Sequence, residues 1–438
     1  MYKPSKYNYI LKNGEEELFL YNSFNGNMGK VSAHNSLKVL EWMNGMTDSN
    51  HNDNFQKLIN LGMLVPEDED EVIKMNLIEP EEKSLNLIIL PTEQCNFRCT
   101  YCYEEFKRGK MSYDVQNALI RFIKKNMINY TSLNVGWFGG EPLVAFDVIE
   151  NLSNEFMKVC KSLRRNYVSN ITTNGYLLDL PKFQKLLNYN VLSYQITIDG
   201  IKETHNKQKP LVGGGETFDV ILGNLKTIKD NVKTGRFKII VRTNVTKEIN
   251  DYIDEYIQYF HNTFGDDDRF QFFIRPAGDW GGESVKEMNE SLIGQRGIEK
   301  VFEKIIRADK SLHFIYRSFL FPTGSMCYAG KRNSYVIDSE GNIRKCSCNL
   351  DDDNNKLGSF DDKGDMVIDK YKYSQWIAKD PDNDYCKECF FLPVCQRKSC
   401  PALRVVHKQE GYACPYEKTN LDLTLQVLDK KGQLELLF

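Results

Sequence analysis

The segment LNLIILPTEQCNFRCTYC, residues 85–102, joins an almost unbroken apolar run to three cysteines spaced C-x3-C-x2-C. A short apolar run bounded by proline and polar residues predicts a buried strand, and the cysteines then fall in the loop at its carboxyl end. Three thiols converging from one loop can hold one iron-sulfur cluster and leave one iron without a protein ligand. A zinc site is the bland alternative, but structural zinc takes four ligands, commonly in paired two-residue spacings.

Working outward, the same unit recurs as apolar run followed by helical pattern: LNVGWFGG at 133–140, VSNITTNG at 168–175, LSYQITIDG at 192–200, FKIIVRTNV at 237–245 and RFQFFIRP at 269–276. Apolar runs alternating with helical crossovers predict parallel strands buried on both faces, and six units predict an α/β fold, a partial (β/α)6 TIM-like barrel. In such barrels chemistry sits at the carboxyl ends of the strands. Those ends hold Cys95, Glu141, Asn174, Asp199, Asn244 and Arg275, which are expected to converge on one cavity.

Before the barrel, residues 8–65 show strand-like pieces at 18–22 and 30–32, then helical patterns through Ser36 to Trp42 and Phe55 to Leu61, stopping at Gly62. This predicts a small winged-helix-like domain. The acidic, proline-broken stretch 66–84 reads as an exposed linker, with a boundary near residue 82. After about residue 322 the periodicity fades and eight of the twelve cysteines follow: Cys327, Cys346, Cys348, Cys386, Cys389, Cys395, Cys400 and Cys414. A turn-rich region with few apolar residues needs crosslinks or metal for stability. Cys160, in EFMKVCKSL, reads as a small buried helix residue.

Composition narrows the function. A hydrophobic share of 41% and a charged share of 27% describe a folding chain of 438 residues with two or three domains. The net charge of -3 gives no pull toward nucleic acid or anionic membranes. The opening MYKPSKYNYI has no basic-then-apolar signal region, and the apolar runs are too short to cross a bilayer, so a cytoplasmic location is expected. Grouped cysteines in a reducing compartment point to metal rather than disulfides.

CxxxCxxC with an aromatic residue before its last cysteine resembles the radical S-adenosylmethionine superfamily. That resemblance implies an enzyme whose Cys95, Cys99 and Cys102 hold a 4Fe-4S cluster that cleaves S-adenosylmethionine. Gly139-Gly140-Glu141-Pro142 resembles the family's GGE motif: glycines allow close backbone approach, and the Glu141 carboxylate accepts from the cofactor's amino group. By the same resemblance Tyr101 contacts the adenine, while Thr173, Asn174, Asp199, Arg242 and Asn244 line the cofactor pocket. His205 resembles the family's His-containing loop, with Lys209 where arginine is common.

The later pattern, Cys327-x13-Gly341-x4-Cys346 and then Cys386-x2-Cys389-x5-Cys395-x4-Cys400 before Cys414, resembles the SPASM extension of peptide-modifying radical enzymes. One spacing is four residues where three is usual. The resemblance implies two auxiliary 4Fe-4S clusters, three in all: an outer one on Cys386, Cys389, Cys395 and Cys414, and a nearer one on Cys327, Cys346 and Cys400. Cys348 is the candidate fourth ligand of the nearer cluster; the alternative leaves an open iron for a substrate sulfur. Two structural zinc sites would use the same thiolates.

The first 80 residues resemble the peptide-recognition element of such enzymes, similar to the small chaperone of pyrroloquinoline quinone biosynthesis. The implied organisation is 1–82 for leader recognition and linker, 83–321 for the barrel and 322–438 for the SPASM domain. The implied partners are a ribosomally made precursor peptide with a leader and a one-electron reductant such as flavodoxin or ferredoxin. The implied activity is hydrogen abstraction from the precursor and formation of a crosslink, a thioether to a peptide cysteine. An anaerobic sulfatase maturase that makes formylglycine is the alternative, and a non-catalytic metal scaffold is the alternative of another class.

Overall fold

The computed structural model describes residues 1–14, 17–46, 52–77, 83–233, 235–278, 291–308, 312–323, 326–379, 384–409 and 414–438. The expected boundary near residue 82 lies outside the described residues.

Six parallel strands stand side by side in sequence order: Ser84–Ile89, Ser132–Trp137, Asn166–Thr173, Val191–Thr197, Lys238–Val245 and Phe270–Pro276. Each expected strand is present. The helices between them are amphipathic and packed on the sheet's outer face. Phe146–Ser162, for example, buries Val148, Ile149, Leu152, Phe156 and Val159 on one stripe. Local signals set their starts: Ser112 accepts from the Val115 N–H at 3.3 Å, and Asp179 accepts from the Lys182 N–H at 2.8 Å ahead of Pro181 in the first turn. The whole is an α/β fold with the strand order of a partial barrel.

The strands are not buried on both faces, as the apolar runs had suggested. Leu85, Leu87 and Ile89 are fully buried under helices, while Ser84, Asn86 and Ile88 alternate with them on a partly open face. On that inner face Asn134 donates to Asn86 at 2.9 Å and Ser132 donates to Ser84 at 2.6 Å. The alternation leaves a polar interior that a packed barrel core would lack.

At one edge the sheet gains His313–Phe314, parallel to Gln271 and Phe272. At the other, Ser334–Ile337 runs parallel to Asn86–Ile89 and leads into Asn342–Arg344, Lys356–Phe360 and Met366–Ile368, all antiparallel. The region after 322, expected to be mainly turns, thus begins by extending the barrel sheet. Gly341 turns its first hairpin with a φ of +83°.

In front, Asn8–Asn13, Glu17–Asn22 and Met28–Val31 form an antiparallel sheet, and Tyr2–Pro4 pairs with Leu64–Pro66. Helices Ala33–Met43 and Asp53–Asn60 cover one sheet face through Val39, Trp42, Phe55 and Leu58. The other face, with Phe19, Tyr21 and Met28, packs on Phe391, Val394, Leu421 and Leu425 from the end of the chain. Part of the expected linker is ordered: Glu71–Leu77 is a helix, and the buried Glu71 carboxylate accepts from the Ser5 hydroxyl and, at 2.9 Å, from the Lys6 N–H. Pairing of this carboxylate with the two residues that follow the first strand outweighs the acidic composition. Among the described residues no helix is long and apolar enough to cross a membrane.

Candidate active site

The loop after Ser84–Ile89 is held on two sides. Phe97, fully buried, packs edge-on to Tyr176 with ring centroids 5.7 Å apart. The Arg98 N–H donates to Pro210 O at 2.9 Å, the Thr100 N–H to Gln208 O at 3.0 Å and the Val212 N–H to Asn96 O at 2.9 Å. This pairing lays the segment 208–212 along the cysteine loop and carries Lys209 beneath it. On the other side, Gly139 and Gly140 press against the loop's backbone. A Cβ on Gly139 would meet Thr92 O at 2.3 Å, and one on Gly140 would meet Gln94 O at 2.5 Å, so only glycine fits.

Cys95, Cys99 and Cys102 open on a cavity of about 340 Å³ at the carboxyl ends of the strands. Of the other expected cofactor contacts, Tyr101, Gly140, Thr173, Asn174, Arg242 and Asn244 line it. Gly139, Glu141 and Asp199 stand behind its wall. Glu141, fully buried, accepts from the Leu143 N–H at 3.0 Å, the Thr173 hydroxyl at 2.7 Å and the Asn174 N–H at 2.7 Å, fastening one strand end to the next. Asp199 accepts from the Tyr101 hydroxyl and, at 2.8 Å, from the Asn244 N–H. His205 Nδ1 accepts from the Asp199 N–H at 3.1 Å, which orients the loop rather than the cavity. Arg275 does not join the cavity: it pairs with Glu417 and lies 4.2 Å from the Tyr416 ring centroid.

Sequence reasoning left Lys209 without a role, yet with Arg242 it supplies positive charge to the site, and it is the cation beside the cysteine loop. Its Nζ lies 3.6 Å from Cys99 Sγ and 3.3 Å from the Tyr101 hydroxyl, and it is buried. Burial works to lower its pKa, but Cys99, Tyr101 and Asp199 together hold it well above the ordinary lysine range. Burial pushes the Cys95 and Cys102 thiols up to about 12. It also raises Cys99, against the pull of Lys209. Neutral thiols must lose protons to bind metal, so loading of this loop releases protons. Gln195, Thr197, Tyr103, Glu104, Phe106 and Phe138 are among the other residues that line the cavity. Gln195 and Thr197 were detectable as polar residues at alternate positions of a buried strand. Burial pushes the Glu104 carboxyl up to about 8.

The remaining cysteines form two further groups. Cys327, Cys346, Cys348 and Cys400 share a small core with Ala329, Trp376 and Ala402. The Cys348 N–H donates to Cys346 Sγ at 3.4 Å, and Cys348 lines the large cavity as well. A hydrogen bond from Cys348, above all, draws Cys346 down to about 6. Cys386, Cys389, Cys395 and Cys414 line a separate small cavity, with Lys418 Nζ 3.6 Å from Cys414 Sγ. Cys160 is buried in its helix. Among the described residues no group of three or more Cys, His, Asp or Glu is placed to hold a single metal ion; the thiols gathered in these three places are soft sulfur donors, the chemistry that iron-sulfur clusters take.

One cation ties the first two groups together. The Arg108 guanidinium, 13% exposed, donates to Glu93 at 2.7 Å and pairs with Asp351, three residues past Cys348. Arg108→Ala leaves Glu93 buried without its cation and is expected to cost about 3 kcal/mol. A urea-unfolding midpoint equal to that of the unaltered protein would contradict this.

Residues 89–259 match the family model described as Radical SAM superfamily. That segment is a radical SAM domain, a kind of domain whose family uses S-adenosylmethionine with a 4Fe-4S cluster, and the protein is an enzyme. Among curated relatives, a cysteine-type anaerobic sulfatase-maturating enzyme from Clostridium novyi is 26% identical over 348 residues, 73% of this chain and 88% of that protein. The radical SAM cyclopropyl synthase TigE of Paramaledivibacter caminithermalis is 21% identical over 59% of this chain and 61% of its own. Among solved structures, anSMEcpe with bound AdoMet and the Kp18Cys peptide superposes with a TM-score of 0.58 at 18% identity, covering 80% of this chain and 97% of its own. Streptococcus suis SuiB bound to precursor peptide SuiA gives 0.50 at 15% identity, covering 94% and 98%. At these identities the structural likeness is one of fold.

Proposed function

We propose that this enzyme is a maturase of ribosomally made peptides, which abstracts hydrogen from a precursor residue and forms an intramolecular crosslink, a thioether to a peptide cysteine. The observation that carries the reading is the shared cavity: the three thiols after the first barrel strand and Cys348 of the second thiol group face one space. A radical made at one end then has substrate between it and a second sulfur-ligated centre, which would take the one electron left over when the thiol loses its proton and its sulfur bonds to the substrate carbon.

In this reading Cys95, Cys99 and Cys102 would hold the catalytic 4Fe-4S cluster. Cys327, Cys346, Cys348 and Cys400 would hold a near auxiliary cluster, and Cys386, Cys389, Cys395 and Cys414 an outer one, in a SPASM-type domain over 322–438. S-adenosylmethionine bound at the first cluster supplies the hydrogen-abstracting 5′-deoxyadenosyl radical. The chain's own residues do the rest. Tyr101, held by Asp199, Asn244 and Lys209, offers a fixed ring to an adenine. Arg242, whose Nε donates to Asn244 Oδ1 at 2.9 Å, presents its charge at the cavity wall. Phe97, Phe106 and Phe138 keep water from a reactive intermediate.

Residues 1–82 form, in this proposal, the winged-helix-like domain that captures the leader, and residues 83–321 the barrel that acts on the core peptide. An external one-electron donor such as flavodoxin or ferredoxin completes the partners, in the cytoplasm.

The test is anaerobic reconstitution with the short cysteine-containing peptide encoded beside this gene. Loss of two hydrogens from the peptide, with the cysteine then refusing alkylation, is the expected result. An unchanged mass while S-adenosylmethionine is being cleaved would overturn it. The relative from Clostridium novyi favours a second reading, formylglycine formation in a sulfatase. A neighbouring sulfatase gene and an aldehyde product would select that reading.

A further inference from the structure

Residues Gln433–Phe438 lie along the outer side of Met28–Val31, the last strand of the front sheet. The Lys30 N–H donates to Glu435 O at 2.8 Å, the Leu437 N–H to Lys30 O at 2.8 Å and the Ser32 N–H to Phe438 O at 2.9 Å. Lys30 stands opposite Leu436 in a parallel bridge. Leu436 is 54% exposed, whereas Leu437 is 5% exposed and packs among Leu18, Leu20, Val31, Val39 and Trp42. Lys57 Nζ caps Leu437 O at 2.5 Å. Gly29 makes the approach close, because a Cβ there would meet Leu437 Cγ at 2.5 Å and Glu435 O at 2.8 Å.

This edge is therefore built to receive an extended peptide: a backbone ladder, a glycine for closeness, a lysine for one carbonyl and an apolar hole for one side chain. The opposite edge, Asn8–Asn13, has no fully buried residue and so no comparable hole. Beyond Leu434, which is buried with Phe19, Tyr21 and Met28, the resident segment is held along the sheet by three backbone bonds, the Lys57 cap and one buried leucine, Leu437. Its near end is pinned elsewhere: the Gln433 side chain accepts from the Phe314 N–H at 3.1 Å and donates to Phe314 O at 2.9 Å. The four residues beyond these anchors, Glu435–Phe438, can lift off the edge by local opening while the near end stays fixed.

We propose that Gln433–Phe438 is a resident strand on the precursor-docking edge, and that an extended leader with an apolar residue in the Leu437 hole binds by displacing it. The proposal rests on the peptide-maturase reading and adds to it the site of capture and a competitor carried in the same chain. Precursor affinity is then set by exchange, and the enzyme's own strand discriminates against weakly matched peptides by mass action.

The probe is a fluorescent peptide with the sequence of residues 430–438, KKGQLELLF, added to the full reconstituted enzyme. Leu437→Asp, which withdraws the resident side chain, is expected to bind the probe and the neighbouring precursor about tenfold tighter than the unaltered chain, with each displacing the other. Gly29→Val, which bars any strand from the edge, is expected to bind neither, with circular dichroism and thermal unfolding verifying that both variants fold. Equal probe binding in all three proteins overturns the proposal. So does precursor binding that neither variant alters; if the precursor's mass still changes, the maturase reading survives. No mass change in any form, with the probe still exchanging, removes the precursor and takes this inference with it.

Discussion

Cys99→Ala is expected to abolish S-adenosylmethionine cleavage, with 5′-deoxyadenosine production falling at least about 10³-fold, a loss of roughly 4 kcal/mol in transition-state stabilisation. Three thiols are the fewest that can hold a four-iron cluster while leaving one iron for a cofactor. Cys99 is the member that Lys209 touches, so its removal also strips the lysine of an anionic partner. On the three-cluster proposal, the variant should lose about four irons per chain while two clusters remain, giving a reduced but not absent absorbance near the visible iron-sulfur bands. Cleavage that persists in anaerobically prepared Cys99→Ala would remove the foundation of the proposed chemistry.

Lys209→Met is the second large effect, and it acts on stability. The substitution takes from the buried Asp199 carboxylate the larger of its two cationic influences, Arg242 being the other, and empties the far side of the Tyr101 hydroxyl that links lysine to aspartate, at an expected cost of about 3 kcal/mol. Lys209→Arg keeps the charge and should cost less. The pH dependence has a definite sign. Burial already raises Asp199 above the ordinary aspartate range, and Lys209 is the chief influence pulling it back. Without that lysine the folded chain holds a proton on Asp199 where the unfolded chain does not. The destabilisation therefore grows as pH rises from the unfolded aspartate range through the raised folded value, and shrinks in acid. Urea unfolding of the metal-free chain at several pH values measures it. A penalty independent of pH would show that packing, not charge, is what Lys209 supplies.

Much of the barrel was legible because its strands are short apolar runs and its cysteines sit directly after the first of them. What stayed hidden depends on contacts distant in sequence. Lys209 reads as an ordinary charge before a proline, and only the pairing of segment 208–212 with the cysteine loop brings it under Cys99. Arg275 ends a strand as a site residue would, but Tyr416 and Glu417, far along the chain, draw it away. The antiparallel ladder from Ser334 to Ile368 was masked by its many glycines and aspartates, which suit turns individually and flank strands here. Glu141 and Asp199 were found as strand-end acids, but their hydrogen bonds within the wall could not be read from a motif.

The face of the front sheet that carries Phe19, Tyr21 and Met28 shares its packing with Phe391 and Val394, and with Cys389 and Cys395 of the outer thiol group. Metal that binds only the folded form of those cysteines lends its binding free energy to that whole interface. On the proposal that those thiols hold iron and the front sheet captures the precursor, cells short of iron would produce an enzyme loosened where its substrate is first caught. Capture assays on poorly loaded preparations would understate the true affinity for the same reason.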